Sequence, residues 1–315
     1  MLAIIIPYYK LRFFEETLQS LSNQTDKRFK VYIGDDASAE NPVRLLEKYE
    51  GKFDFVYHRF ETNLGSFSLT QQWERCIALS ENEKWLMILG DDDVLGENVV
   101  EGFYKLLKDQ KEEEVNLIRF RLKTIDKEGN VINENRICER QETNENLLQK
   151  IFLMNESISA SEFIFNRKAY NNKGFVEFPL AWFSDYATWL RFSEITGIHN
   201  INEAIVFWRI SDINISSKST NQNQIELKVK SLFLFMTFLQ QHFKIEKNKL
   251  KKYTHKHLTN LLSNLGFFES LDVLRKQFFQ YKFSWTEIII FEFVIKKIKR
   301  KGRKVYESIC ASSKR

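Results

Sequence analysis

Hydrophobic positions in the first 125 residues alternate between short continuous runs and helical spacing. The run LAIII at 2–6 is typical of a strand buried on both faces, and Phe14, Leu18 and Leu21 then recur at the spacing of one helix face. Further strand-like segments lie at 29–34, 53–58, 85–89 and 115–125, with helix-like segments at 42–49, 67–79 and 97–107. The short connections predict an α/β fold with a Rossmann-like, mostly parallel sheet and helices on both faces.

The pattern changes after residue 125. Residues 126–146 are polar without clear periodicity, which fits a surface loop or excursion. From Leu147 the pattern is helical and then mixed to about Arg209. Residues 211–223 are rich in Ser and Asn, and we expect a mobile loop there. Beyond Gln224 the chain is helical and rich in Phe and Lys.

These changes predict two regions. The first covers 1–220 and has two parts, about 1–110 and about 111–220; the second is a basic, Phe-rich helical region at 221–315. The net charge of +5 conceals a difference between the ends of the chain. From residue 244 to 315 there are 18 Lys and Arg against 6 Asp and Glu, whereas the remainder has 29 against 36. An acidic body and a basic tail are expected to meet different partners.

Cysteine usage and the N-terminus predict a cytoplasmic protein. The three cysteines are widely spaced and include no CxxC motif, which argues against a disulfide framework or a structural zinc site. The N-terminus has no basic segment before its apolar run, unlike a signal peptide. The apolar stretch at 288–295 contains Glu292 and is too short to span a bilayer.

Aromatic and acidic residues follow three of the predicted strands. Pro7, Tyr8 and Tyr9 follow the first, Asp35 and Asp36 the second, and three aspartates the fourth, at 91–93. In a doubly wound sheet, ligands bind beyond the carboxyl ends of the strands, so these side chains are expected to meet at one edge. Helix capping explains Asp35 and Asp36 equally well.

Three consecutive aspartates fit capping less well, because like charges repel unless a cation neutralises them. A hard divalent ion with open positions for phosphate oxygens is the natural partner. The chain has neither a GxGxxG motif after the first strand nor a GxxxxGK[ST] motif. Their absence disfavours dehydrogenases and ATPases.

Six segments, in this order, resemble family 2 glycosyltransferases with the GT-A fold, of the bacterial surface-polysaccharide type. The resemblance covers roughly the first 220 residues. The segments are IIIPYYK (4–10), SLSNQTDKRFKVYIGDDAS (20–38), ETNLG (61–65), WLMILGDDDVL (85–95), FPLAWFSDYATWLRF (178–192) and VFWRISDINISS (206–217).

The resemblance implies a nucleotide pocket at the first two strands. Tyr9 would stack on the base, Asp36 would accept an N–H from uracil, and Pro7 and Asp35 would line the pocket. Asn63 and Gly65 would shape the donor-side turn before the third helix.

The same resemblance makes Asp92 and Asp93 the pair that meets the donor ribose and the metal, Mn²⁺ or Mg²⁺. The commoner family pattern is Asp-x-Asp-Asp, and here Gly90 stands in place of its first Asp. The direct ligand is therefore open among Asp91, Asp92 and Asp93, with Asp93 favoured and Asp91 also assigned to the metal.

The resemblance places the catalytic base at Asp185. A helical pattern follows this residue, so it would lie near a helix N-terminus, where backbone N–H groups favour the carboxylate. Simple N-capping is the alternative role. Family members more often have Glu-Asp here, and Ser184 replaces the Glu.

Three further residues have two interpretations each. Trp182 and Phe183 would form a platform for an acceptor sugar or belong to the core. Arg209 precedes the Ser- and Asn-rich loop, which in the family can close over the donor diphosphate; it would bind that anion or form a surface ion pair.

The expected function is that of a metal-dependent inverting glycosyltransferase. The donor would be a nucleotide sugar, with UDP expected, and the acceptor a glycan or lipid-linked glycan of surface polysaccharide biosynthesis. The alternatives are a sugar-nucleotide nucleotidyltransferase and a non-catalytic nucleotide- or glycan-binding protein on the same fold.

The Phe residues of the tail are expected to pack a helical subdomain. The cluster of seven Lys and Arg at 296–304 predicts attraction to an anionic membrane at its inner face. No nucleic-acid-binding motif accompanies the charge, so nucleic acid is not an expected partner.

Overall fold

The alternation of strands and helices predicted for the first 125 residues is confirmed by a computed structural model. The structure describes residues 1–110, 114–154, 156–212 and 221–280. The chain divides into two compact units, Met1–Ser217 and Lys218–Arg315. Each is described by itself.

The N-terminal half of the first unit, residues 1–110, contains four parallel strands linked by helices. Strand β1 pairs in parallel with both β2 and β4, and β2 pairs with β3. The strands are β1 (Leu2–Tyr8), β2 (Phe29–Asp35), β3 (Asp54–Arg59) and β4 (Trp85–Ile88), followed by the short β5 (Val94–Leu95). The helices are α1 (Phe14–Ser22), α2 (Val43–Glu47), α3 (Leu69–Ile77) and α4 (Val99–Asp109).

The C-terminal half, residues 114–212, extends the sheet in mixed directions. The strand order is β3-β2-β1-β4-β9-β6-β10-β5, and β9 runs antiparallel to both of its neighbours. The strands are β6 (Leu117–Ile125), β7 (Val131–Glu134), β8 (Gln141–Glu142), β9 (Phe163–Asn166) and β10 (Ile198–Arg209). The sheet is thus parallel in the N-terminal half and mixed beyond β4.

The segment 126–146, expected to be a surface loop or excursion, contains the short strands β7 and β8, which were not predicted. All four residues of β7 are exposed. A strand with both faces in water has no reason to alternate apolar and polar residues, so its sequence resembles a loop.

The helices of the C-terminal half are short. They are α5 (Asn144–Gln149), α6 (Arg167–Lys173) and α7 (Ser184–Phe192). A π-helical turn at Lys150–Met154 and 3-10 turns at Ala160–Glu162 and Pro179–Ala181 complete the segment.

Both halves bury apolar side chains against the sheet. In β1, residues 2–6 have no exposed surface, as a strand covered on both faces requires. Trp85 of β4 meets Phe103 of α4 edge to face, and Phe163 of β9 stacks on Trp189 of α7. This packing fixes the strand ends from which the site is built.

The second unit is helical over its described part. Its helices are α8 (Gln222–His242), α9 (Lys247–Leu261) and α10 (Phe267–Gln280). Phe233, Phe235 and Phe238 are buried, whereas Phe268 is 77% exposed. Among the described residues, no helix combines the length and apolar character needed to cross a bilayer. The basic cluster at 296–304 lies outside the described residues.

Candidate active site

The residues expected at the strand ends do meet at one edge of the sheet. The backbone N–H of Asp36 donates to the carbonyl of Tyr8 at 3.0 Å, joining the ends of β1 and β2. The Asp91 carboxylate accepts the N–H groups of Tyr9 and Lys10, both at 2.7 Å. The loop after β4 is thereby bound to the loop after β1.

Asp35 is fully buried and engaged by its own chain. Its carboxylate accepts from the Tyr57 hydroxyl and the Arg59 guanidinium, both at 2.7 Å, and from the Ser38 N–H at 2.8 Å. Pro7 lies opposite Gly34 in the β1–β2 register. Asp35 therefore holds the end of β3 and the turn after β2.

Asp36 is clamped by the turn that precedes α3. It accepts the N–H groups of Leu64 and Gly65 at 2.7 and 2.9 Å and the Arg75 guanidinium at 2.5 Å. A Cβ added at Gly65 would lie 2.5 Å from Asp36 Oδ2, so the close approach requires glycine. The Asn63 side chain accepts the Ser66 N–H at 2.9 Å and shapes the same turn.

Arg75 is a site residue that the sequence analysis missed. Besides binding Asp36, its guanidinium lies 3.9 Å from the centroid of the Phe60 ring. Burial raises the pKa of Asp36 despite these donors. A basic residue in the last turn of a helix is common for dipole reasons alone, so the sequence contains no distinctive signal.

Tyr9 presents an aromatic side chain at this edge. Its backbone is fixed on both sides, through Asp91 and through its carbonyl, which accepts the Ser38 hydroxyl at 2.6 Å. The residue is 43% exposed. A ring held in this way is available for stacking on a planar base.

The three aspartates after β4 differ in their surroundings. Asp93 is 3% exposed, and its two carboxylate oxygens accept from the Ser161 hydroxyl at 2.5 Å and the Arg209 N–H at 3.0 Å. Asp91 and Asp92 are half-buried. Within the described parts of the chain, no other residue donates a hydrogen bond to the Asp92 carboxylate.

Gly90 has a steric explanation. A Cβ at this position would lie 2.9 Å from Asp93 Oδ2 and 3.1 Å from Asp92 Oδ1. The carboxylates fold back over the glycine, so a side chain at position 90 would require them to move. The tight loop therefore explains why position 90 holds glycine and not the Asp of the commoner pattern.

Burial first, and then mutual repulsion, raises the pKa values of these carboxyl groups. The pKa rises to about 7 for Asp91 and Asp92 and to about 6 for Asp93. Bringing all three into the ionised state is unfavourable unless a cation compensates.

A divalent metal fits this chemistry when it arrives with a phosphate ligand. No group of three or more His, Cys, Asp or Glu side chains suited to a metal occurs among the described residues. Magnesium-like ions in nucleotide enzymes are commonly held by one or two carboxylates together with substrate phosphates. Asp91 and Asp92 are two neighbouring carboxylates of this kind.

Arg209 lies behind the aspartates. Its side chain is buried and donates to the carbonyls of Asp92 and Asp126 at 3.0 and 3.2 Å, and to the Glu16 carboxylate at 2.5 Å. It also lies 4.5 Å from the centroid of the Phe13 ring. In this conformation Arg209 supports the aspartate loop. The surface ion pair considered as the alternative role is instead a buried cation paired with Glu16. The Ser- and Asn-rich loop after it falls largely at 213–220, outside the described residues.

Asp185 lies in the first turn of α7, as the pattern predicted. Its carboxylate accepts the N–H of the adjacent Tyr186 at 2.9 Å. Backbone N–H groups at the start of α7 were expected to favour the ionised carboxylate. Burial outweighs the N–H groups of Asp185 and Tyr186 and raises the pKa of Asp185 to about 7. Glu162 adds a smaller repulsion in the same direction.

The backbone that leads into α7 is strained. Leu180, Ala181 and Phe183 have φ values of 57°, 50° and 69°, in the left-handed region that non-glycine residues rarely adopt. Such conformations persist only where the surrounding structure enforces them. Here they set the entry of α7 and the placement of Asp185.

Trp182 and Phe183 differ in exposure. Phe183 is 6% exposed and packs edge to face against both Trp182 and Tyr186, at 5.9 and 5.4 Å between ring centroids. Trp182 is half-buried. Phe183 therefore belongs to the packing around α7, and Trp182 retains some exposed surface.

A buried ion cluster beside Asp185 was also missed. Arg119 donates to Glu162 at 2.9 Å and to Glu156 at 2.8 Å, and it is 2% exposed. Arg119 alternates with Arg121 and Lys123 along β6, and nothing in that pattern distinguishes it as the member of a buried cluster.

Comparison with known proteins decides the family. The family model described as glycosyl transferase family 2 matches residues 3–175, more than half of the chain. The chain belongs to this family. It is therefore a glycosyltransferase. Family membership argues against the two alternatives from the sequence, a nucleotidyltransferase and a non-catalytic binding protein. No curated protein sequence matches it.

Solved structures of GT-A glycosyltransferases share the fold of this family 2 member. S. aureus TarS 1–349 in complex with UDP-GlcNAc matches with a TM-score of 0.65 and 14% identity, covering 96% of this chain and 92% of that one. The Pyrobaculum calidifontis mannosyltransferase PcManGT, in complex with GDP-Man and Mn²⁺, matches with a TM-score of 0.55 and 11% identity, covering 93% and 79%.

Proposed function

We propose that this family 2 protein transfers a sugar from a UDP-sugar to a hydroxyl of a glycan or lipid-linked glycan, with inversion at the anomeric carbon. The observation that carries the proposal is the crowding of three carboxylates beyond β4, one of which, Asp91, accepts the backbone N–H of the exposed Tyr9. The UDP-GlcNAc complex of a structural neighbour supports the choice of nucleotide.

The donor nucleotide is assigned to the N-terminal half. The Tyr9 ring stacks on the base, and Pro7, Asp35 and Asp36 form the wall of its pocket. Because Asp36 already accepts three donors, a base N–H binds it by sharing an oxygen or by displacing Arg75. Asn63 and Gly65 act by holding Asp36 in place.

The divalent metal, Mn²⁺ or Mg²⁺, is assigned to Asp91 and Asp92, with Asp93 as the anchor of their loop. The sequence favoured Asp93 as the direct metal ligand. We now prefer Asp91 and Asp92, because both carboxylate oxygens of Asp93 already accept hydrogen bonds from the protein. When bound, the ion neutralises charge on the departing diphosphate. Arg209 supports the loop from behind, and its cation also favours the approach of the anion.

Asp185 is the proposed base. A pKa near 7 suits this role, because the carboxylate is present at neutral pH and retains enough basicity to accept a hydroxyl proton. The acceptor oxygen forms a bond to the anomeric carbon as its proton passes to Asp185 and the bond to the diphosphate breaks. One base and one face of attack give inversion. Trp182 offers an apolar face to the acceptor sugar.

A thermal-shift panel tests the donor assignment. Nucleoside diphosphates and nucleotide sugars are compared with and without MnCl₂, since a bound ligand raises apparent stability by mass action. We expect metal-dependent stabilisation by UDP compounds. A larger response to GDP or CDP compounds would overturn the choice of UDP, and no response to any nucleotide would overturn the donor site.

The basic segment at 296–304 supports a location at the membrane surface. Its seven Lys and Arg follow an apolar block, a combination that binds anionic bilayers, and each basic residue contributes about 1 kcal/mol. Flotation with vesicles containing phosphatidylserine tests this part of the proposal. Absence of binding at low salt would overturn it.

A further inference from the structure

The loop that contains Asp91 and Asp92 is fastened at both ends by one buried hydroxyl. Ser161 donates to Asp93 Oδ2 at 2.5 Å and accepts the Gly90 N–H at 3.1 Å. Gly90 and Asp93 flank the two remaining aspartates. The Ser161 side chain therefore closes the loop across its base, beside the bond that the Asp93 N–H donates to the Gly90 carbonyl at 3.3 Å. Ser161 is 2% exposed and does not itself reach solvent.

Ser161 comes from the opposite half of the unit. It lies in the 3-10 turn Ala160–Glu162, just before β9, and is 68 residues from Asp93. Two hydrogen bonds stabilise this turn. The Ser159 hydroxyl accepts the Ser161 N–H, and the Glu162 carboxylate accepts the Ser159 N–H. Glu162 in turn pairs with the buried Arg119.

The hydroxyl is well suited to this position. Asp93 is a buried carboxylate that needs a donor, and the Gly90 N–H is a donor that needs an acceptor, and a serine hydroxyl supplies both. Removing it leaves the carboxylate without one donor and the N–H without its acceptor. If the loop opens towards solvent, water can replace both lost hydrogen bonds. That opening moves Asp91 and Asp92.

We infer that Ser161 is a positioning residue for metal and donor binding, because it holds the Gly90–Asp93 loop in the closed form that presents Asp91 and Asp92. The inference rests on the proposed assignment of the metal and diphosphate to that loop. Ser161 touches neither ligand and acts through the loop.

Titration calorimetry of UDP over a series of MnCl₂ concentrations tests this role in the full-length protein. For Ser161→Ala we expect the Mn²⁺ concentration for half-maximal UDP binding to rise about tenfold, as for loss of a supporting hydrogen bond near a metal. Ser161→Thr keeps the hydroxyl, so we expect its Mn²⁺ requirement for UDP binding to stay close to that of the wild type.

Ser159→Ala is the matched control. It removes the cap of the same turn and leaves the Ser161 hydroxyl in place, so it reports turn stability alone. We expect it to lower the unfolding temperature with less than a threefold change in the Mn²⁺ requirement. An equal change in both variants, or no change in Ser161→Ala, would overturn the role of Ser161.

The wild-type titration separates the two levels of the proposal. Mn²⁺-dependent UDP binding in the wild type, retained unchanged in Ser161→Ala, overturns the positioning role and leaves the proposed function standing. Absence of Mn²⁺-dependent binding in the wild type overturns the proposed function and the inference with it.

Discussion

The two halves of the first unit hold their functional carboxylates in opposite ways. In the N-terminal half, Asp36 and Asp91 each accept two backbone N–H groups from loops distant in sequence. In the C-terminal half, the Asp185 carboxylate accepts the backbone N–H of the next residue, Tyr186. The residues just before Asp185 include three with strained, left-handed backbone conformations. The first arrangement suits binding, where geometry must be fixed, and the second suits proton transfer, where the group must change charge.

Asp185→Asn tests this comparison with the largest expected effect. An amide cannot accept the hydroxyl proton, so we expect kcat to fall about a thousandfold. UDP affinity, which we assign to the other half, should change less than twofold. Transfer kinetics and calorimetry with UDP and MnCl₂ measure the two quantities. Equal losses of turnover and UDP binding would contradict the division of labour.

Asp92→Asn probes the opposite side. Losing this proposed metal ligand is expected to reduce Mn²⁺ affinity about a hundredfold, near the upper end for changes around a metal site. Thermal shift with UDP over a MnCl₂ series measures the effect. Asp109→Asn, at the exposed end of α4, is the matched control for loss of one negative charge. A normal Mn²⁺ requirement in Asp92→Asn would transfer the ligand role to Asp91 or Asp93.

The pH dependence of turnover distinguishes the two arrangements further. The pKa of Asp185 is raised to about 7, so the group gains a proton and ceases to be a base as the pH falls through that value. At saturating donor and metal, kcat should fall about tenfold per pH unit on the acid side. A profile that stays flat down to pH 5 would exclude Asp185 as the titrating base.

Gly65→Ala has the smallest expected effect and tests the rigidity of the N-terminal half. Its Cβ would lie 2.5 Å from Asp36 Oδ2, and relief of that contact must shift the turn or the carboxylate. We expect a loss of roughly 1–3 kcal/mol in stability and about a tenfold rise in donor KM, with kcat little changed. Gly129→Ala makes the same residue change at a turn with φ of 85°, where no other atom lies within 4 Å of the added Cβ. It should lower stability without altering KM.

The sequence was most informative where a local pattern sufficed. Strands β1, β2 and β4 were predicted because buried strands in a parallel sheet are continuously apolar, and the family was indicated by six ordered motifs. Strands β7 and β9 were missed because β7 is exposed and the apolar run of β9 has only three residues before Asn166.

The site was predicted unevenly for the same physical reason. Asp91, Asp92 and Asp93 are conspicuous as consecutive like charges. Arg75 and Ser161 are ordinary residues whose importance comes from partners 39 and 68 positions away. Long-range pairing of this kind leaves no periodic or compositional trace, and the burial that raises the pKa of Asp185 is likewise a property of the folded chain.

Strand β9 has a practical consequence for building chimeras within this family. It joins the halves through the pairs Leu86–Phe165 and Met87–Ile164, so the seam between β4 and β9 sets the spacing between the two sets of carboxylates. An exchange of the first 110 residues should transplant donor selectivity when the incoming β4 preserves this register. An exchange that shifts it by one residue would turn the β4 side chains to the opposite faces of the sheet.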